Sequence, residues 1–163
     1  MTRAREDRPA GQAADVEGFE LAAFAVQLRR LTGEINRFVH EFASQQGLHP
    51  TDVQALATIM DAKAPLTPSR LGARLGLTSG AVTACLDRLE RTGHIQRVRD
   101  SSDRRVVHLH YLAAAKTTAR AHFLPLAEAT ARSQEGFDPH ELRIALRLLA
   151  ALGDELERLN KGD

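Results

Sequence analysis

The sequence predicts a mainly α-helical chain with one small β-hairpin. Three observations carry that prediction. Apolar residues recur at three- and four-residue spacing along most of the 163 residues. Aromatic residues make up only 4%, with no Trp and one Tyr, as in an aliphatic, Leu/Ala-rich helical core. Strand character is confined to two short runs divided by the turn-forming DSSD at 100–103.

The elements follow in order. The opening MTRAREDRPAGQAADVEG is polar, holds Pro9 and Gly11, and lacks the apolar centre of a signal peptide, so residues 1–16 are read as a disordered leader. A long helix is expected over 17–47, with Phe19, Val26, Leu28, Leu31, Ile35, Phe38 and Phe42 at helical spacing and Gly47 as its stop. Thr51 is the expected cap of a second helix through Asp61, with Val53, Leu56, Ile59 and Met60 inward. Thr67 caps a third, Pro68 takes its first position, where a missing N–H costs nothing, and Gly76 closes it. Thr78 caps a fourth that runs to about Thr92. Strands are expected at Ile95–Arg99 and Val106–Tyr111. A helix then runs from Ala113 to about Glu135, and Pro125 inside it should bend or break it. GFDP separates a last helix, Pro139 to Asn160, with Leu142, Leu146, Leu149, Leu152, Leu156 and Leu159 on one stripe.

Three short helices followed by a hairpin are the layout of a winged helix-turn-helix, here spanning residues 48–112. The flanking helices, 17–47 and 113–163, carry apolar stripes that one small domain would struggle to cover. They are expected to pack on a second copy of the chain as dimerisation helices; the other arrangement is an intramolecular bundle.

Composition narrows the classes. The single cysteine, Cys85, excludes an internal disulfide framework and Cys-rich zinc sites, and fits a reducing cytoplasm. No apolar run is long enough for a membrane span. The net charge is +1, but the window from Lys63 to Leu112 holds nine Lys/Arg against four acids, so a +5 middle is set in a −4 remainder. That asymmetry fits a polyanion-facing surface; a merely solvated basic face is the bland alternative. No phosphate-binding Gly loop, nucleophile elbow or metalloprotease motif is present, so no catalysis and no cofactor are expected.

The fourth helix carries the chemistry. With Val82 at zero on a 100° wheel, Cys85, Leu86 and Leu89 fall within about 60° and form a buried stripe. Gly80, Thr83, Ala84, Asp87, Arg88 and Arg91 take the opposite face. Small and hydroxylic residues at the start let a backbone approach base edges, and the arginines beyond suit phosphate. Arg70 and Arg74, four residues apart on the preceding helix, are placed to touch the flanking backbone.

LTPSRLGARLGLTSGAVTACLDRLERTGHI followed by RVRDSSDRRVVHLHYL resembles the MarR (multiple antibiotic resistance regulator) family of winged-helix transcription factors. The match is close from Leu66 to Leu112 and looser over most of the chain. The resemblance implies a triangular dimer with recognition helices in successive major grooves of double-stranded DNA and wings in the adjacent minor grooves. It implies that Thr78, Ser79, Gly80 and Thr83 sit at the helix tip, and that Arg88 and Arg91 lie nearer phosphate. It also implies that Asp103 orients a neighbouring arginine and that Arg105 enters the minor groove; Arg104 beside it is read as a phosphate contact. A narrow A·T-rich groove attracts such an arginine through its negative potential. The sequence departs from the family at three places. Ala84 replaces a long polar residue and suits a thymine methyl; Leu112 replaces a capping Thr; His108 and His110 stand where relatives carry apolar or acidic residues.

Further sites follow from the same reading. Cys85 lies on the buried stripe and is read as core rather than as a redox sensor. His108 and His110 share a strand face, but with no third ligand nearby a solvated face is expected, not a metal site. The resemblance implies a small-molecule effector, with Arg37, His40, Glu41 and His49 as candidate ligands. The expected function is a homodimeric, ligand-responsive repressor on a pseudo-palindromic operator. The alternatives are a dimeric helical protein-interaction module and a ligand-binding protein without DNA affinity.

Overall fold

The computed structural model describes residues 10–161. In order they form α1 (Ala10–Gln46), α2 (Pro50–Met60), α3 (Pro68–Leu75), α4 (Ser79–Arg91), β1 (Ile95–Arg99), β2 (Val107–Tyr111), α5 (Ala113–Gln134) and α6 (Pro139–Lys161). The expected mainly helical winged helix-turn-helix is what is found. Residues 1–9 of the expected leader lie outside the described residues. Residues 10–16 belong to α1, because alanine-rich AGQAAD favours helix enough to offset its one glycine.

The chain divides within α1 into one unit up to Glu41 and another from Phe42 onward. In the first, Leu21, Phe24, Val26, Leu31 and Ile35 are exposed, and Arg37 pairs with Glu34 one turn away.

The second unit is built around the three short helices and the hairpin. Its core holds Phe42, Val53, Leu56, Ile59, Leu66, Leu71, Val82, Leu86, Leu89, Ile95 and Leu109. Met60, expected inward, is exposed instead, because it falls in the last turn of α2 beyond its packed stripe. The cap of α2 is His49, not Thr51: Pro50 takes the first helical position and the Asp52 carboxylate receives the His49 N–H at 2.8 Å. Thr67 and Thr78 cap α3 and α4 as expected, accepting from the N–H groups of Arg70 and Ala81 at 3.3 Å. Gly76 ends α3 at φ +64°, a left-handed position that glycine occupies without a Cβ clash.

α3 and α4 meet at Gly72. A Cβ there would stand 2.8 Å from Val82 Cγ2, so glycine is what lets the two helices approach. β1 and β2 pair antiparallel with Ile95 opposite Tyr111 and Arg99 opposite Val107. The Leu109 N–H also reaches the Leu66 carbonyl at 2.8 Å, tying the hairpin to the start of the α3 segment. Val106 falls in the turn rather than in β2, its N–H bonded to Asp103 O.

α5 starts at Ala113 with Leu112 as a cap that offers no side-chain bond. It continues through Pro125 without the expected break, since one lost backbone bond does not outweigh the turns on either side. Phe42 is fully buried, with its ring 5.2 Å from that of His122, 5.4 Å from Phe123 and 6.4 Å from His94. α6 exposes Ile144, Leu146, Leu148, Leu149, Leu156 and Leu159. Among the described residues no helix is long and apolar enough to cross a membrane.

Candidate nucleic-acid interface

The stripe expected to bury on α4 does so: Val82, Cys85, Leu86 and Leu89 are all buried. The opposite face is left to solvent. Thr78, Ser79, Gly80, Thr83, Ala84 and Arg91 are exposed, and so are Arg70 and Arg74 on α3. Thr83 Oγ1 donates back to the Ser79 carbonyl at 3.0 Å, which fixes its rotamer in the first turn. Between α3 and α4 runs an open groove of about 310 Å³ lined by Pro68, Ser69, Gly72, Ala73, Leu77 and Thr83. The backbone of α4 is thus approachable from outside along its first two turns.

Arg88 departs from that pattern. Its Nε and Nη2 donate to Oδ2 and Oδ1 of Asp52, both at 2.8 Å, in a two-pronged pair. Asp52 is wholly buried, and the Arg88 side chain is 24% exposed. Arg88 is therefore a strut between α2 and α4 rather than a side chain facing outward with Arg91. The wheel placed it correctly on the helix but carried no information on the acid that faces it. Burial alone would push the Asp52 carboxyl up. Arg88, the His49 N–H and the Cys85 thiol outweigh that effect and hold it below its ordinary value. The same surroundings, burial first and the Asp52 carboxylate next, push the Cys85 thiol up to about 12.

The hairpin is fastened to α4. Arg97 on β1 reaches Asp87 Oδ1 at 2.6 Å and Glu90 Oε2 at 3.4 Å, and its backbone N–H donates to Glu90 Oε1 at 3.2 Å. One guanidinium is thereby shared between two acids on α4, which offsets one of their two negative charges on the face that carries Arg91. At the tip, Asp103 Oδ1 accepts from the N–H and Nε of Arg105 at 3.0 and 3.3 Å. Arg105 is otherwise free, with its side chain 92% exposed; Arg104 is exposed beside it. Asp100 anchors the reversal. The hydroxyl and N–H of Ser102, the N–H of Asp103 and the His108 ring all bond to it and hold its carboxyl well below the usual carboxylate range.

Sequence reasoning thus located the exposed tip of α4 and the wing arginines. It missed Asp52, Arg97 and the His108–Asp100 contact. Only Asp52 left a local signal, an acid three residues after the cap of its helix. Among the effector candidates, Arg37 is occupied by Glu34, His40 and Glu41 are exposed on α1, and His49 is the exposed cap of α2. No group of three or more metal-ligating side chains occurs among the described residues.

Comparison with known proteins agrees with this geometry. A family model described as MarR family matches residues 46–106. An uncharacterized HTH-type transcriptional regulator of Bacillus subtilis, YcgE, is 37% identical over 147 residues, covering 87% of this chain and 95% of the relative. Among solved structures, Streptococcus pneumoniae FabT in complex with DNA is 33% identical, with a TM-score of 0.58 over 83% of this chain and 99% of that one. A MarR family protein from Bacillus stearothermophilus shares the fold at 23% identity, with a TM-score of 0.66 over 85% and 96% of the two chains.

Proposed function

Since the chain belongs to the MarR family of DNA-binding transcriptional regulators, we propose that it works in the cytoplasm as a homodimeric, ligand-responsive repressor, binding rather than catalysing. The observation that carries this reading is the pairing, on one lobe, of an open α4 tip with a wing arginine that is 92% exposed and aimed by Asp103. Thr78, Ser79, Gly80, Thr83 and Ala84 meet base edges in the major groove, Arg70, Arg74, Arg91 and Arg104 meet phosphate, and Arg105 enters the minor groove. Arg88 leaves the set of contacts and positions α4 through Asp52.

The dimer is formed by residues 17–47 and 113–163. Exposed Leu21 and Leu31 on α1, and Leu146, Leu149, Leu156 and Leu159 on α6, support it, because apolar surface of this extent favours a second copy over water. The operator is then pseudo-palindromic, with half-sites about one helical turn apart. A small-molecule effector is part of this reading, with His49 its candidate contact in the second unit and Arg37, His40 and Glu41 the candidates in the first. His49 bonds to Asp52, and Asp52 bonds to Arg88 on α4, so a ligand at His49 has a route to the recognition helix. Its action is a shift in population toward dimers whose α4 helices no longer match the half-site spacing.

Selection of bound duplexes from a random pool tests the reading. The expected product is a two-fold symmetric site. Arg105→Ala should weaken binding to it by about 1–3 kcal/mol with the dimer intact, and Arg104→Ala should weaken binding more evenly across sequences. Binding to random duplex should weaken steeply as salt rises; a chain that enriches no duplex and barely binds random duplex is a protein-interaction module instead.

A further inference from the structure

The wing turn hangs on one carboxylate. Asp100 Oδ1 accepts from the Ser102 N–H at 2.7 Å, the Ser102 hydroxyl at 2.6 Å and the Asp103 N–H at 3.2 Å. The other oxygen, Oδ2, lies 3.1 Å from Nε2 of His108 on the returning strand. Backbone bonds close the same turn, from Asp100 N–H to Val106 O and from Val106 N–H to Asp103 O, both 2.9 Å. Asp103 then receives the N–H and Nε of Arg105. A continuous chain of hydrogen bonds therefore runs from β2 through Asp100 and Asp103 to the exposed guanidinium.

We propose that His108 is a positioning residue for the wing: by holding Asp100 through Nε2 it fixes the Ser102–Asp103 segment, and with it the direction in which Arg105 leaves the turn. The strand register explains why this position can do so. His108 pairs with Val98, one rung inside the Arg99–Val107 pair that ends the ladder, so its ring reaches back over the turn. The other ring nitrogen, Nδ1, is buried with no partner. An apolar residue at 108 would avoid that unpaired atom, so histidine is disfavoured here on packing grounds alone. What it supplies is an N–H aimed at Asp100. His110, two residues further along the same face, carries none of these bonds and serves as a control.

The inference rests on Arg105 entering the groove, and the experiment separates the two claims. Full-length dimer is titrated against its selected operator, and the order of the Arg105 Nε–H bond is measured by NMR relaxation in the free protein. His108→Leu is expected to weaken binding about fivefold, the worth of one ordinary hydrogen bond, and to loosen Arg105. His108→Gln, whose amide places an N–H near the position of Nε2, should restore both, and His110→Leu should change neither. In an Arg105→Ala background, His108→Leu should cost less than about twofold, because the group it aims is gone. The proposal is overturned if His108→Leu leaves Arg105 equally ordered, if its loss of affinity persists undiminished without Arg105, or if His108→Gln is as weak as His108→Leu. An Arg105→Ala variant that binds normally, while His108→Leu still loosens Arg105, refutes the groove contact and upholds the positioning.

Discussion

Replacing Arg88 by Ala should harm the protein more than replacing Asp52 by Ala, although the two share one interaction. The asymmetry comes from burial. Asp52 is wholly enclosed and the Arg88 side chain is 24% exposed. Without Arg88, the carboxylate keeps only the His49 N–H and the Cys85 thiol and cannot reach water. Without Asp52, the guanidinium can turn outward. Breaking a buried pair from one side costs about 3–5 kcal/mol, and we assign Arg88→Ala to the middle of that range and Asp52→Ala below it. For a chain of this size, about 4 kcal/mol corresponds to a fall in Tm of about 8–16 °C. Thermal and urea unfolding at fixed protomer concentration measure both variants. Acid should narrow the gap. In the native chain the carboxyl is held below 3.8, so its contribution is present above that pH and lost below it. In Arg88→Ala, burial pushes the carboxyl up, so protonation relieves the variant as pH falls. The double replacement Asp52→Leu with Arg88→Met should recover most of the stability. An Arg88→Ala variant within 1 kcal/mol of the parent, or one less harmed than Asp52→Ala, would refute the strut.

Two further predictions follow from buried groups. Cys85, with its thiol raised to about 12 by burial and by Asp52, should not react with a disulfide reagent at pH 8 until urea unfolds the chain; native reactivity at the unfolded rate would contradict its enclosure. Burial lowers His94 below its ordinary 6.5 even though Thr92 and Asp52 pull the other way, so the unfolded chain binds the extra proton first. Stability from this site is present above pH 6.5 and lost as pH falls through it. His94→Gln should flatten the change in urea midpoint between pH 7.5 and 5.5, and an unchanged slope would remove His94 as its source.

Much of the fold could be read from the chain because its signals are local. Thr67, Pro68, Gly76 and Thr78 act within four residues of where they stand, and each does in the structure what its chemistry implies. The Val82–Leu89 stripe was legible for the same reason, since one helix period suffices to define it. Arg88 was not. Its wheel angle puts it beside Arg91, but its partner lies 36 residues away on α2, and no periodicity encodes that distance. Arg97 and His108 were lost in the same way, because strand alternation gives a face and not the acid opposite. Pro125 shows the converse, a strong local signal overruled by the helix on either side of it.

Arg97 has a mechanical consequence. It pins β1 to Asp87 and Glu90 of α4, while Leu66 pins β2 from the other edge. Beyond Arg97 the hairpin runs four residues to Ser101, a lever arm of about 14 Å at the rise of a strand. A 10° rotation of α4, carried through that clamp, swings the tip by about 2.4 Å, nearly half the roughly 6 Å width of a minor groove. On the proposed reading, an effector that turned α4 slightly would draw the wing from its groove without touching it, and the two proposed DNA contacts of each lobe would be released as one.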